Sequence, residues 1–206
     1  MFRSHPEAGF VCGDYRWCGD DRARHLHDCR PRPDYYGPLL RTNFIGAPHV
    51  VMFGRDIVEA LGGFEHHLIS CEDQDLYLRV ARDYPVFCHH EVIAEYRRHP
   101  QQSSPRWDVM LRYAMQMLRA HAAAVAGHPE YEEAWRAGVE HRRRMYGEPL
   151  MWTMISSLRV SDWKGSIQYL GVLLRWYPRV LRRCSGINLV VCMNLLPERA
   201  LSPGSM

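Results

Sequence analysis

The stretch Gly62–Pro85, GGFEHHLISCEDQDLYLRVARDYP, decides how the first half of the chain folds. Its second part predicts an amphipathic helix, because Leu76, Val80 and Tyr84 recur every four residues and so share one helix face. Pro85 would stop this helix, since proline has no backbone N–H with which to continue the hydrogen-bond pattern. Strand-like segments on both sides then predict an α/β arrangement for this half of the chain.

The predicted helix begins with three acidic residues, Glu72, Asp73 and Asp75. Negative charge is favourable at a helix N-terminus, because the first N–H groups are unpaired and the helix dipole is positive there. Taken alone, the cluster is therefore best explained as a helix cap. A reactive site is the other interpretation, and the flanking motifs decide between the two.

Strands and a short helix surround this stretch. Strands or extended segments are predicted for residues 9–17, 47–55, 86–90 and 92–99, which are rich in aromatic and β-branched residues. Residues 20–38 contain three prolines and predict a long loop. A short helix is predicted over residues 56–64, with Asp56 as its cap and the pair Gly62-Gly63 as its end.

From Pro105 onward the pattern predicts helices alone. The predicted segments are a long helix over 106–127, a second over 129–147 and a helical hairpin over 149–178. Asp162 would cap the second arm of the hairpin, and Pro178 would close it.

Composition sets broad limits on function. The 206 residues are 47% hydrophobic and 24% charged, which is ordinary for a soluble globular protein. The formal net charge of +3 is small and gives no reason to expect nucleic-acid binding. Seven cysteines without a CxxC pair argue against a zinc ribbon or a disulfide framework.

A cytoplasmic location is expected, because the first ten residues contain no apolar signal-peptide core and no apolar run could span a bilayer. Residues 166–183, SIQYLGVLLRWYPRVLRR, are apolar with a basic flank. They predict either peripheral contact with an anionic membrane or a core helix with its basic side in water, and we favour the core helix.

Four motifs in order resemble the acceptor-side half of a family 2 glycosyltransferase of the GT-A fold. They are FVCGDYRW at 10–17, TNFIGAPHVVMFGRDIVEALGGFEHHL at 42–68, CEDQDLYLRVA at 71–81 and YRRHPQQSS at 96–104. The resemblance covers roughly residues 5–104. It implies a partial GT-A sheet over residues 1–104 and a helical C-terminal extension over residues 105–206.

This resemblance implies an inverting transfer of a sugar from a nucleotide-diphosphate sugar to an acceptor hydroxyl, in bacterial glycan or polysaccharide assembly. Asp73 matches the position of the family's catalytic base, and Glu72 matches the acid that orients the acceptor. The substrate-binding role of Gly62 and Gly63 would be to bring these carboxylates to the floor of the cleft.

The resemblance also implies a divalent metal, Mn²⁺ or Mg²⁺, with His99 as a ligand. Arg97, Arg98 and Ser103 match positions that contact the diphosphate. The family's nucleotide-binding half, with its DxD motif, would precede these segments and is not found in the sequence. We therefore expect a truncated chain that is inactive alone; the alternative is a non-catalytic remnant or a helical module that binds a partner.

Overall fold

Four strands form a mixed sheet around one central strand. The computed structural model describes residues 1–18, 24–25, 32–46, 48–97 and 106–179. The strands are β1 (Phe10–Cys18), β2 (Arg24–His25), β3 (Val51–Phe53) and β4 (Val86–Arg97). The strand β1 pairs antiparallel with β2 near one end and with β3 near the other, and it pairs in parallel with β4.

The pairing of β1 with β4 is interrupted by a bulge. Cys12 pairs with Cys88 and Asp14 pairs with Val92, so Gly13 lies opposite residues 89–91. A Cβ atom at Gly13 would lie 2.6 Å from the His89 ring, so a larger residue at this point would require that ring to move. The two strands predicted over 86–90 and 92–99 are one strand in the structure, up to Arg97.

Seven α-helices accompany the sheet in the described residues. They are α1 (Tyr36–Arg41), α2 (Arg55–Ala60), α3 (Glu72–Asp83), α4 (Trp107–Ala120), α5 (Ala122–Val125), α6 (Pro129–Arg159) and α7 (Trp163–Trp176). Residues Pro48–Val50 form a 3₁₀ turn directly before β3. This composition confirms a mixed α/β class.

The helix α3 packs onto the sheet through its apolar face. The centroid of the Tyr77 ring lies 5.7 Å from the ring centroid of Phe10 in β1 and 6.0 Å from that of Phe53 in β3. Leu76 and Val80 are fully buried on the same helix. The helix ends where the sequence predicts, with Tyr84 as its C-cap and Pro85 immediately after it.

Several sequence expectations about the elements are wrong. The helix α1 begins at Tyr36, inside the stretch 20–38 that was predicted as a loop. Gly54 is the N-cap of α2, and Asp56 lies within its first turn without capping it. The predicted helix 106–127 is interrupted at His121, between α4 and α5.

The largest difference concerns α6, which runs through Gly147 and Pro149 without a break. These two residues predict the end of one helix and the start of another. The structure explains the glycine by packing, since a side chain at Gly147 would collide with the ring of Tyr177. Leu150, directly after the proline, is fully buried, and burial of apolar side chains favours continuation of the helix.

The chain divides into two compact units. The first contains residues 1–102 and 116–141, and the second contains residues 103–115 and 142–206. The first unit therefore includes helical residues beyond the sheet region, whereas the change to a helical pattern and the family resemblance predict a boundary at residue 104. As a boundary between functional domains, residue 104 stays a prediction.

In the second unit, the cap of α7 is the one predicted. The Asp162 carboxylate accepts a hydrogen bond of 3.0 Å from the backbone N–H of Gly165. The Gln168 amide donates to Asp108 at 3.2 Å, and the Arg143 guanidinium donates to the carbonyl oxygen of Trp176 at 2.8 Å. These bonds tie α7 to α4 and to the C-terminal part of α6.

Among the described helices, none combines the length and the apolar character needed to cross a bilayer.

Cys88 of β4 is disulfide-bonded. One such bond does not make a disulfide framework, and the expectation that the chain lacks such a framework stays a prediction.

Candidate functional site

The predicted acidic cluster lies at the start of α3, after a backbone bend. Cys71 is the N-cap residue and has a left-handed backbone, with φ of 65° and ψ of 15°. A residue with a β-carbon costs about 1 kcal/mol or more in this region. No side chain of the N-cap closes the helix start, so Glu72, Asp73 and Asp75 provide the negative charge in the first turn.

Asp73 has the most perturbed carboxyl group of the cluster. Burial raises the pKa of Asp73 to about 6, a hydrogen bond from the Gln74 N–H opposes the rise, and the negative charge of Glu72 adds to it. The hydrogen bond joins the Gln74 nitrogen to Asp73 Oδ1 at 2.7 Å. Asp73 and Glu72 both keep part of their surface exposed to solvent. A proton acceptor with a pKa close to neutrality is what general-base chemistry requires.

Asp75 is in a different environment, although it lies only two residues away. Its Oδ2 accepts a hydrogen bond of 2.7 Å from Arg79 Nε, and its Oδ1 lies 3.4 Å from His121 Nε2. Burial alone would raise the pKa of Asp75, but the hydrogen bonds from His121 and Arg79 outweigh it and lower the pKa. Asp75 is therefore held as an anion by two partners, and its lowered pKa makes it a weaker base than Asp73.

The His121 ring extends this buried network to α1. Its Nδ1 lies 3.3 Å from the hydroxyl of Tyr36. Burial raises the pKa of Tyr36 to about 12, so the hydroxyl keeps its proton. The other ring nitrogen of His121, Nε2, faces Asp75. Three separate segments of the first unit are joined by these contacts.

The pair Gly62-Gly63 terminates α2. Both residues have positive φ, 77° and 74°. The N–H of Gly62 donates to the carbonyl oxygen of Glu59 at 3.1 Å, and that of Gly63 donates to the carbonyl oxygen of Val58 at 2.9 Å. This pattern is a Schellman motif, and it confirms the predicted end of the helix.

The same glycine turn is attached to α3 by Arg79. The guanidinium donates to the carbonyl oxygens of Leu61 at 2.8 Å and Gly63 at 2.6 Å. A side chain at either glycine would meet open space, so the glycines are required by backbone conformation. The turn thus lies beside the helix that carries Asp73, whereas its role in substrate binding stays a prediction.

The structure does not describe the side chains predicted to bind the diphosphate and the metal. Arg97 is the last residue of β4, and only its backbone is described. Arg98, His99 and Ser103 lie outside the described residues. Within the described ranges, no group of three or more His, Cys, Asp or Glu side chains is placed to hold a metal ion. The described residues alone do not fit the expected Mn²⁺ or Mg²⁺ site.

His121 and Tyr36 are the site-adjacent residues that sequence reasoning missed. His121 lies in a stretch predicted as a continuous helix, and Tyr36 in one predicted as a loop. No local pattern marks either residue, because their contact joins positions 85 residues apart.

Comparisons with known proteins give no match, whether against protein-family models, curated proteins or solved structures.

Proposed function

We propose that this chain carries the acceptor-side catalytic residues of an inverting family 2 glycosyltransferase. The observation that supports this proposal best is the partly exposed Asp73 carboxyl group, whose pKa is raised to about 6 beside a strained helix start. A carboxylate that serves only as a helix cap gains from the N-terminal dipole, which would favour its charged form. Burial opposes the charge of Asp73 instead, and that is typical of a group kept ready to take a proton.

In the proposed reaction, Asp73 accepts the proton of the acceptor hydroxyl as the hydroxyl oxygen attacks the anomeric carbon of the sugar. The bond from that carbon to the nucleotide diphosphate breaks, and the diphosphate leaves with the bonding electrons. Glu72 orients the acceptor next to the base. The raised pKa favours this step, because Asp73 is mostly ionised at pH 7 and is still basic enough to bind a proton.

The contacts of Asp75 support a different task. Its ion pair with Arg79 fixes the helix turn that carries Glu72 and Asp73, and Arg79 in turn holds the Gly63 carbonyl oxygen. The network therefore positions the base relative to the glycine turn. Since the described residues do not form a metal site, no step of the proposed reaction is assigned to a metal ion.

The proposed setting is the cytoplasmic side of a bacterial inner membrane, where nucleotide-sugar donors and lipid-linked or polysaccharide acceptors would meet. Cell fractionation with a tagged protein tests the location independently of the chemistry.

The activity test compares carboxylate-to-amide variants. The chain, and any longer protein that contains it in the same reading frame, is incubated with nucleotide-diphosphate sugars, Mn²⁺ or Mg²⁺ and hydroxyl acceptors. Release of the nucleotide diphosphate and formation of the glycoside are both measured. Asp73→Asn should lower turnover by about 100-fold or more, the usual scale for loss of a general base.

Glu59→Gln is the matched control, because Glu59 is an exposed acid on α2 whose only described ion pair, with Arg55, is 3.9 Å long. It should transfer sugar at the parent rate. The rate of the parent protein should rise with pH up to about 6 and then level off. Transfer by Asp73→Asn at the parent rate would show that the acidic cluster is only a helix cap.

A further inference from the structure

The helix α7 has two apolar faces, and within the residues that the structure describes only one of them is covered. Val172, Leu173 and Trp176 are buried within the second unit. A second set of large apolar side chains on the same helix is exposed: Trp163 at 63%, Ile167 at 69%, Leu170 at 36% and Leu174 at 55% of their surface. These four residues are called the α7 stripe below.

The α7 stripe is continuous along the helix. Its members are separated by four, three and four residues, so at 3.6 residues per turn they fall within an arc of about 60°. Val160, just before the helix, is also exposed, at 76% of its surface. Single exposed apolar residues are common on proteins, but an aligned row including a tryptophan indicates a contact surface.

The charges beside the stripe have one sign. Residues 163–179 contain Lys164, Arg175 and Arg179 and no acidic residue. These three cations make no ion pair within the part of the chain that the structure describes. The nearest acid in sequence, Asp162, is engaged as the helix cap through Gly165.

The same asymmetry extends over the whole second unit. Its residues include 12 Lys or Arg and 4 Asp or Glu, a formal charge of +8, against 14 and 19 in the first unit, a formal charge of −5. The small net charge of +3 is therefore the sum of a strongly basic unit and an acidic one. A basic surface beside exposed apolar side chains has an anionic and partly apolar partner as its complement.

We propose that the α7 stripe and its flanking cations bind an anionic lipid membrane, with α7 lying in the interface plane. The helix has 14 residues and a length of about 21 Å, too short to cross the hydrocarbon core. Trp163 suits the boundary between headgroups and acyl chains, and the cations suit the phosphate layer. A nucleic acid would use the charge but leave the apolar row in water, so lipid fits both features.

The first experiment is co-sedimentation of the full chain with vesicles. One set contains phosphatidylcholine alone, and the other contains phosphatidylcholine mixed with phosphatidylglycerol. Binding is expected only to the anionic vesicles and should weaken as salt is added. The double variant Ile167→Ser/Leu174→Ser should lower the affinity at least about tenfold, because two apolar side chains no longer leave water.

Matched controls come from the first unit. Ile69 is 68% exposed, and Ile69→Ser should bind like the parent protein. Lys164→Gln/Arg179→Gln should lower the affinity about 25-fold, at about fivefold for each charge near an anionic surface, whereas the exposed Arg55→Gln should have no effect. The fluorescence of Trp163 is obtained as the difference between the emission spectra of the parent protein and of Trp163→Phe. This difference spectrum should shift to shorter wavelength when anionic vesicles are added.

The proposal is overturned if the parent protein ignores anionic vesicles, or if Ile69→Ser weakens binding as much as the stripe variant does. It also fails if the parent protein is a dimer that the stripe variant converts to a monomer, since a second copy then covers the stripe. Binding to a DNA or RNA duplex without binding to vesicles would assign the charge to nucleic acid. If the double variant does not fold, the Trp163 emission decides: an unshifted difference spectrum refutes lipid contact.

Discussion

Replacing Asp73 by asparagine should make the protein more stable at neutral pH, although it should strongly slow the proposed chemistry. Burial raises the pKa of Asp73 from 3.8 to about 6, so the folded state disfavours its charged form. At about 1.36 kcal/mol for each pH unit, the difference corresponds to about 3 kcal/mol at most. Because part of the residue is solvent-exposed, we expect a gain of about 1–3 kcal/mol at pH 7.5.

The pH dependence of the free energy of unfolding explains why the substitution should be stabilising. Below pH 3.8 the carboxyl group is protonated in both the folded and the unfolded chain, and its ionisation has no effect on the free energy of unfolding. As the pH rises towards 6, the unfolded chain releases its proton while the folded chain retains it, so the parent protein loses stability. Above about pH 6 both forms are ionised and the loss is constant. Asparagine keeps the acceptor for the Gln74 N–H and removes the charge.

The measurement is urea denaturation of the parent protein and of Asp73→Asn at several values between pH 4.5 and 7.5. Asp75→Asn is the matched comparison on the same helix turn. It should be less stable than the parent by about 3–5 kcal/mol, because Arg79 would be left without its buried partner. The reasoning about Asp73 is refuted if Asp73→Asn has the same advantage at all pH values, or if it destabilises the protein as Asp75→Asn does.

Three further changes test the local structure by chemical denaturation. Gly62→Ala should cost about 1 kcal/mol because φ is positive there, whereas Gly171→Ala, inside α7 and facing open space, should be neutral or stabilising; equal effects would contradict the role of backbone conformation. Asp162→Ala should cost about 1 kcal/mol through loss of the cap of α7, and no loss would show that the cap is not needed. Gly147→Ala should destabilise the second unit by about 1–3 kcal/mol, because its methyl group collides with Tyr177, and an unchanged midpoint would show that this ring moves freely.

The elements that sequence alone determined are those defined by short-range signals. The helix α3 and its end at Tyr84, the glycine stop of α2 and the Asp162 cap of α7 all depend on residues within a few positions of each other. Steric and hydrogen-bonding rules act on these neighbours whatever the rest of the chain does. The strand β1 and the mixed α/β class could be predicted for the same reason.

Packing decided where the helices of the C-terminal part begin and end. Gly147 and Pro149 are strong local stop signals, yet α6 continues through both. The glycine is explained by a ring 30 residues further along the chain, that of Tyr177. The local rule does not hold here, because burial of apolar surface along a long helix outweighs the helix-ending preference of two residues.

Tertiary structure also decided what the acidic cluster and the last helix can do. The sequence places Asp73 and Asp75 side by side, but only folding buries the first carboxyl group and gives the second a histidine 46 residues away. In α7, sequence alone shows an apolar helix with a basic flank, and only the fold shows that Ile167 and Leu174 face water while Leu173 is buried. Ionisation and exposure depend on what surrounds a side chain, and distant parts of the chain provide those surroundings.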